Sequence, residues 1–176
     1  MTVVLVEGPS DARAVKVLAR RRGRDLAAEG VRVEAMGGIT NLGRWLLDLD
    51  QPDARLLALH DAGEAGYVRR TVERADVEIG LHICDADLED ELIRSLGAPA
   101  VLDVVAAAGE REQWETLTRQ PFHRGRPADA VLRRFMGTHS GRKIRYAGLL
   151  VEAAVELDRV PRPLDDVLTA AAPATS

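Results

Sequence analysis

Three short apolar runs in this sequence end in carboxylates. Glu7 follows Thr2 to Val6, Asp61 follows Arg55 to His60, and Asp85, Asp87 and Glu89 follow Glu78 to Cys84. If these runs are strands of one open parallel sheet, their acids share the carboxyl rim, where ligands gather and helix N-termini point. Carboxylates crowded there repel one another unless a divalent cation neutralises them, and an all-oxygen donor set selects Mg²⁺ or Mn²⁺. Each acid also has a plainer reading. Asp11 can simply occupy the first turn of its helix, and Asp87 can be a cap, with Asp90 and Glu91 adding favourable charge at the helix start. Glu7 has no such alternative, because a carboxylate between a buried strand and Gly8-Pro9 has no packing role.

The elements that must position these acids follow from periodicity. Thr2 to Val6 is a continuous β-branched run, as in a strand buried on both faces. Asp11 to Arg22 repeats apolar residues at helical spacing and ends on a basic turn and Gly23. A second strand over Val31 to Ala35 leads through Gly37-Gly38 into a helix over Asn41 to Leu49. The third, Arg55 to His60, precedes a helix over Gly66 to Ala75. The fourth, Glu78 to Cys84, precedes a helix over Leu88 to Leu96. Strands alternating with helices predict an α/β fold with a mostly parallel four-stranded sheet. After Gly97 only helical patterns remain, over about Ala98 to Ala108, Glu110 to Arg119, Pro127 to Met136, Arg142 to Leu157 and Leu164 to Ala170. The expected organisation is therefore a core over residues 1–97 and an all-helical extension over 98–176, packed as one unit because no flexible linker divides them. The Ala-Pro-Ala-Thr-Ser tail is expected to be loose.

The 176 residues suit one domain, and 46% hydrophobic with only 3% aromatic favours an Ala, Val and Leu interior over a β-sandwich. Cys84, the single cysteine, excludes an internal disulfide and a thiolate zinc cluster, so a reducing cytoplasm is the expected setting. The start lacks a basic leader, and no apolar run is long enough to span a bilayer. The net charge of −4 hides segregation: residues 73–91 hold eight acids and one Arg, whereas residues 119–145 hold eight Arg or Lys and only Asp129. Acids gathered for a metal, with a basic surface for phosphates beside them, give this pattern, and so do ordinary solvated helix faces.

Val4-Leu5-Val6-Glu7-Gly8-Pro9-Ser10-Asp11 resembles the opening Glu motif of the Toprim fold, in the form with Asp four residues after Glu that is found in nucleases of the OLD (overcoming lysogenization defect) family. Leu56 to Asp61 is similar to the strand delivering that family's Asp-x-Asp motif, and Asp87-Leu88-Glu89 to its later acidic helix start. The resemblance spans roughly residues 3–97. It implies two-metal phosphodiester chemistry with Glu7, Asp11, Asp61 and Glu89 as ligands and Asp87 a weaker candidate. It also implies a catalytic role for Glu7, and for Lys143 in the helical extension as the cation that steadies the charged transition state. Lys143 as a plain surface cation is the competing reading. In one departure, Gly63 occupies the second Asp position, and Glu64, one residue late, either reaches the same ion or leaves a weakened site. OLD nucleases also carry an ATPase domain, but no Gly-x-x-x-x-Gly-Lys loop is present here, so any ATPase is expected as a separate partner.

The leading expectation is a metal-dependent nuclease, or a broader nucleotidyl transferase or hydrolase, acting on nucleic acid with DNA the favoured substrate and Arg124, Arg126, Arg133, Arg134 and Arg142 guiding the backbone. Its rival is a catalytically weak Toprim module that binds metal and nucleic acid or a partner ATPase. A tyrosine-based topoisomerase is disfavoured because Tyr67 and Tyr146 are the only tyrosines, and a receiver-like domain because no acid pair follows the first strand. His60, His82, His123 and His139 lack metal-ligand spacing, Trp45 and Trp114 suit helix packing, and neither Ser10 nor Ser140 has a matching His-Asp arrangement.

Overall fold

A computed structural model describes residues 1–48, 53–137 and 140–173. Leu49, His139 and the last three residues of the tail lie outside the described residues. Four parallel strands, β1 (Thr2–Val6), β2 (Val31–Ala35), β3 (Arg55–Asp61) and β4 (Ile79–Cys84), lie in the order β2-β1-β3-β4. Every residue of β1 is buried, as its unbroken apolar sequence demands of a central strand. The edge strand β2 alternates in its first residues, with Val31 and Val33 buried and Arg32 exposed between them. Val6 lies opposite Leu59, and Asp61 opposite Cys84, so the carboxyl ends of β1, β3 and β4 finish side by side.

Helices cover both faces. Val3, Leu5, Leu56 and Ala58 pack against α2 (Leu42–Leu47) and α3 (Ala65–Ala75). Val4, Val6, Leu57, Leu59 and Cys84 face the larger core, built with α1 (Pro9–Arg21), α4 (Leu88–Leu96), α5 (Ala98–Ala107), α7 (Ala128–Gly137), α8 (Ser140–Glu156) and α9 (Arg162–Ala170). The short α6 (Arg111–Thr118) joins this layer through Trp114, whose ring meets Phe135 edge-on at 5.8 Å. Each fully buried Leu here contributes about 1.5–3 kcal/mol.

Periodicity placed the strands and α-helices but not the 3-10 turns, and misplaced several ends. A 3-10 turn, Ile39–Asn41, precedes α2, which is shorter than its apolar pattern suggested, and α8 begins at Ser140. Helix α8 lies directly on α1. Gly148 permits this, because a Cβ there would come 3.1 Å from Arg13 Nε. Arg20–Glu152 and Arg21–Glu156 pair across the same contact at 3.0 and 2.9 Å. These pairs are solvated, so apolar packing supplies most of the adhesion. The consequence for function is that α7 and α8, far along the chain, sit above the rim where the strand-end acids emerge. No helix among the described residues is long and apolar enough to cross a membrane.

Candidate metal centre and its basic flank

The turn from β1 into α1 is fixed by its own backbone. Gly8 N–H donates to Asp11 Oδ2 at 2.9 Å, so Asp11 serves the helix N-terminus with one oxygen. The loop after β2 is tied to the same turn: Met36 N–H donates to Val6 O at 2.9 Å and Gly38 N–H to Glu7 O at 3.0 Å. Gly37 and Gly38 have φ of +74° and +116°, conformations that a side chain would strain. Across the rim, Asp87 caps α4 by accepting from Asp90 N–H at 2.8 Å. Glu89 follows on the first turn of α4 and is only 9% exposed.

Glu7, Asp11, Asp61, Asp87 and Glu89 line one cavity of about 300 Å³ together with Gly8, Ser10, Gly37, Gly38 and Lys143. Five acids from four elements thus share a space with one ammonium. Lys143 Nζ lies 3.1 Å from Glu89 Oε2, while Glu89 Oε1 is buried without a hydrogen-bond partner. Asp87 Oδ2 is held by Arg133 of α7. Glu64 ends the 3-10 turn Ala62–Glu64 and is not among the cavity-lining residues. A Cβ at Gly63 would meet nothing within 4 Å, so packing does not exclude a carboxylate at that position. Asp90 and Glu91 pair with Arg94 at 2.9 and 2.8 Å, as acids of a helix start, and do not line the cavity.

Crowding shows in the titration of these groups. Burial, then repulsion from Glu7, Asp87 and Asp11, pushes the Asp61 carboxyl up to about 7. Burial raises Asp11 and Glu89 as well, with Lys143 opposing both. Burial works against charge on Lys143, but Glu89 and the other acids outweigh it and hold the ammonium protonated. A stability prediction follows for Asp61. A carboxyl whose pKa is raised on folding costs nothing below its unfolded value, begins to cost between about pH 4 and 7, and costs fully above. In EDTA, Asp61→Asn is therefore expected to melt above the parent at alkaline pH and to lose that advantage at acid pH. Thermal melts across pH measure this, and a gap that does not change with pH rules the repulsion out.

The donor set suits a hard divalent cation. All the donors are oxygens, they are buried enough to repel, and one carboxylate oxygen is left without a partner. Among the described residues no three His, Cys, Asp or Glu side chains are already arranged around one point. The physical reason lies in Lys143 and Arg133, which draw Glu89 and Asp87 toward themselves. An ion drawn to Glu89 Oε2 or Asp87 Oδ2 would compete with these basic partners.

The basic flank divides in two. Arg142, expected on the phosphate surface, instead bonds Glu110 Oε2 at 3.0 Å and stacks 4.5 Å from the Phe135 ring centroid. With Arg145, 2.7 Å from Glu110 Oε1, it fixes α8 and so places Lys143 between them. Arg124, Arg126, Arg133 and Arg134 are exposed. His60 is buried, with Nδ1 2.9 Å from Asp61 O, and none of the described histidines lines the cavity. Cys84 is buried in the larger core and its thiol is pushed upward, chiefly by burial.

Residues 1–62 match the family model described as "Overcoming lysogenization defect protein-like, TOPRIM domain". The fold is similar to the C-terminal region of the Burkholderia pseudomallei OLD protein, with TM-score 0.68 and 18% identity over 97% of this chain and 96% of that one. It is equally similar to the C-terminal region of the Xanthomonas campestris pv. campestris OLD protein, with TM-score 0.68 and 20% identity over 97% and 93%. No curated protein matches the sequence.

Proposed function

We propose that this chain, whose residues 1–62 match the OLD-like Toprim domain, carries out divalent-metal-dependent phosphodiester chemistry on nucleic acid, with DNA as the first substrate to test and Mg²⁺ or Mn²⁺ as the ion. The observation that carries this reading is the convergence of five carboxylates and Lys143 on one rim cavity. Glu7, Asp11, Asp61 and Glu89, with Asp87 beside them, would hold the ion or ions. Such an ion supplies Lewis-acid polarisation of a phosphoryl oxygen and neutralises the carboxylates.

The chain's own residues supply the rest. Lys143, held charged beside Glu89, is placed to meet negative charge that develops on a phosphoryl group at the cavity. Arg133, adjacent on α7, can release Asp87 and take a backbone phosphate. Arg124, Arg126 and Arg134 extend the phosphate track. In this reading residues 1–97 are the Toprim core, and residues 98–176 are the extension that brings Lys143 and the arginines to it. An ATPase is the partner such a chain would serve, in the cytoplasm.

Gly63 favours a second reading. With no carboxylate at this position, and Glu64 outside the cavity, the second ion has fewer ligands, and the chain then acts as a metal- and nucleic-acid-binding module. Incubation with supercoiled plasmid, linear single-stranded DNA and RNA in Mg²⁺, Mn²⁺ or EDTA decides between them. Cleavage of plasmid in Mn²⁺ that EDTA stops is the expected result. No cleavage of any substrate, with calorimetry still showing Mn²⁺ binding, leaves the binding module.

A further inference from the structure

Phe122 is an unusual residue to find on this surface. It lies in a single 3-10 turn, Pro121–His123, pinned by hydrogen bonds from His123 N–H to Gln120 O at 2.9 Å and from Arg126 N–H to His123 O at 3.2 Å. His123 is buried beneath it, its ring edge-on to Phe122 at 5.1 Å, so the turn is anchored to the body of the protein. Phe122 is nevertheless 54% exposed in a chain with few aromatics. Single exposed apolar residues are ordinary. This one is ringed by cations: the Arg126 guanidinium sits 3.8 Å from its centroid and that of Arg134 5.2 Å away.

We propose that Phe122 and the guanidinium stacked on it form a platform for an unpaired base, so that this chain grips single-stranded nucleic acid beside its acidic cavity. Aromatic rings and guanidinium planes are the surfaces on which exposed bases stack, and flanking arginines meet the phosphates between them. Among the described residues neither Arg124 nor Arg126 pairs with a carboxylate, so both charges remain available to a polyanion. A duplex hides its base faces in its own stack; it can satisfy the arginines but not the ring. The platform connects to the cavity through α7, where Arg134 reaches Phe122 and its neighbour Arg133 holds Asp87. A strand held on Phe122 is thereby led toward Lys143. The platform rests on the proposed function only in taking nucleic acid as the ligand, and needs no catalysis.

Fluorescence anisotropy in EDTA, which prevents turnover, tests it with a labelled oligothymidylate and a blunt duplex of equal length. Phe122→Ala is expected to weaken single-strand binding by about tenfold with little change on the duplex, and Phe122→Trp to retain it. Arg126→Ala is expected to weaken both and to lower the salt slope by about one. If the parent binds both ligands and Phe122→Ala, folded by circular dichroism, binds the single strand unchanged or loses both equally, the platform is wrong and the nucleic-acid reading stands. If the parent binds neither the single strand nor the duplex, the platform and the nucleic-acid reading both fail.

Discussion

Glu7→Ala is expected to abolish Mn²⁺-dependent nicking of plasmid, a fall of more than about 10³-fold if the ion it helps to hold supplies several kcal/mol at the transition state. The same substitution is expected to leave the fold at least as stable. Glu7 follows the fully buried β1, but its side chain is only partly buried, and among the described residues its carboxylate makes no hydrogen bond or ion pair. It is also the leading source of charge repulsion on Asp61, after burial itself. Its removal should therefore raise the melting temperature in EDTA and shrink the stabilisation that added Mn²⁺ confers. Loss of activity with a raised metal-free melting temperature separates a ligand from a structural residue, since a structural residue would lose both. Nicking that survives Glu7→Ala at the parental rate removes the rim cavity from the chemistry.

The acids of this rim were readable from sequence because the rule that exposes them is local: an apolar β-branched run fixes a strand, and whatever follows it emerges at the sheet's carboxyl end. Glu7, Asp61, Asp87 and Glu89 all meet that condition, and the register of β1, β3 and β4 places them together, whereas Asp85 meets it too but turns to Arg94 at 3.2 Å and does not line the cavity. Asp87 did not have to be either cap or rim acid, since one oxygen caps α4 and the other faces Arg133. What sequence could not show were pairings across long separations. Lys143 is 54 residues from Glu89, and Arg133 is 46 from Asp87, so nothing in local spacing couples them. Arg142 looked like its basic neighbours, yet the Glu110 carboxylate and the Phe135 ring take it into the structure. The 3-10 turn after β3 leaves Glu64 outside the cavity, a rotation that no residue-type count encodes. Phe122 did carry a signal: a rare aromatic inside an arginine-rich segment, with Arg126 four residues on.

Lys143→Ala is expected to move two measurements in opposite directions. Cleavage should fall by about 10²- to 10³-fold, the loss usual when one preorganised donor to developing negative charge is removed. Mn²⁺ binding should tighten, because the ammonium that now neutralises Glu89 at 3.1 Å competes with the ion for that carboxylate and repels it across the cavity. Both follow from one geometry, in which the cation stands where metal, carboxylate and phosphoryl group meet. A purely structural Lys143 would lower stability and weaken metal binding together. A Lys143 that only fills the site before the ion arrives would, on removal, tighten Mn²⁺ and leave cleavage unchanged or faster. Lys143→Arg discriminates further: it keeps the charge beside Glu89, so Mn²⁺ affinity should stay near the parental value, while the longer planar head displaces the donor and cleavage recovers only in part. Calorimetric titration with Mn²⁺ alongside single-turnover nicking gives both readouts on the same preparations, and parallel changes in the two would exclude the transition-state role.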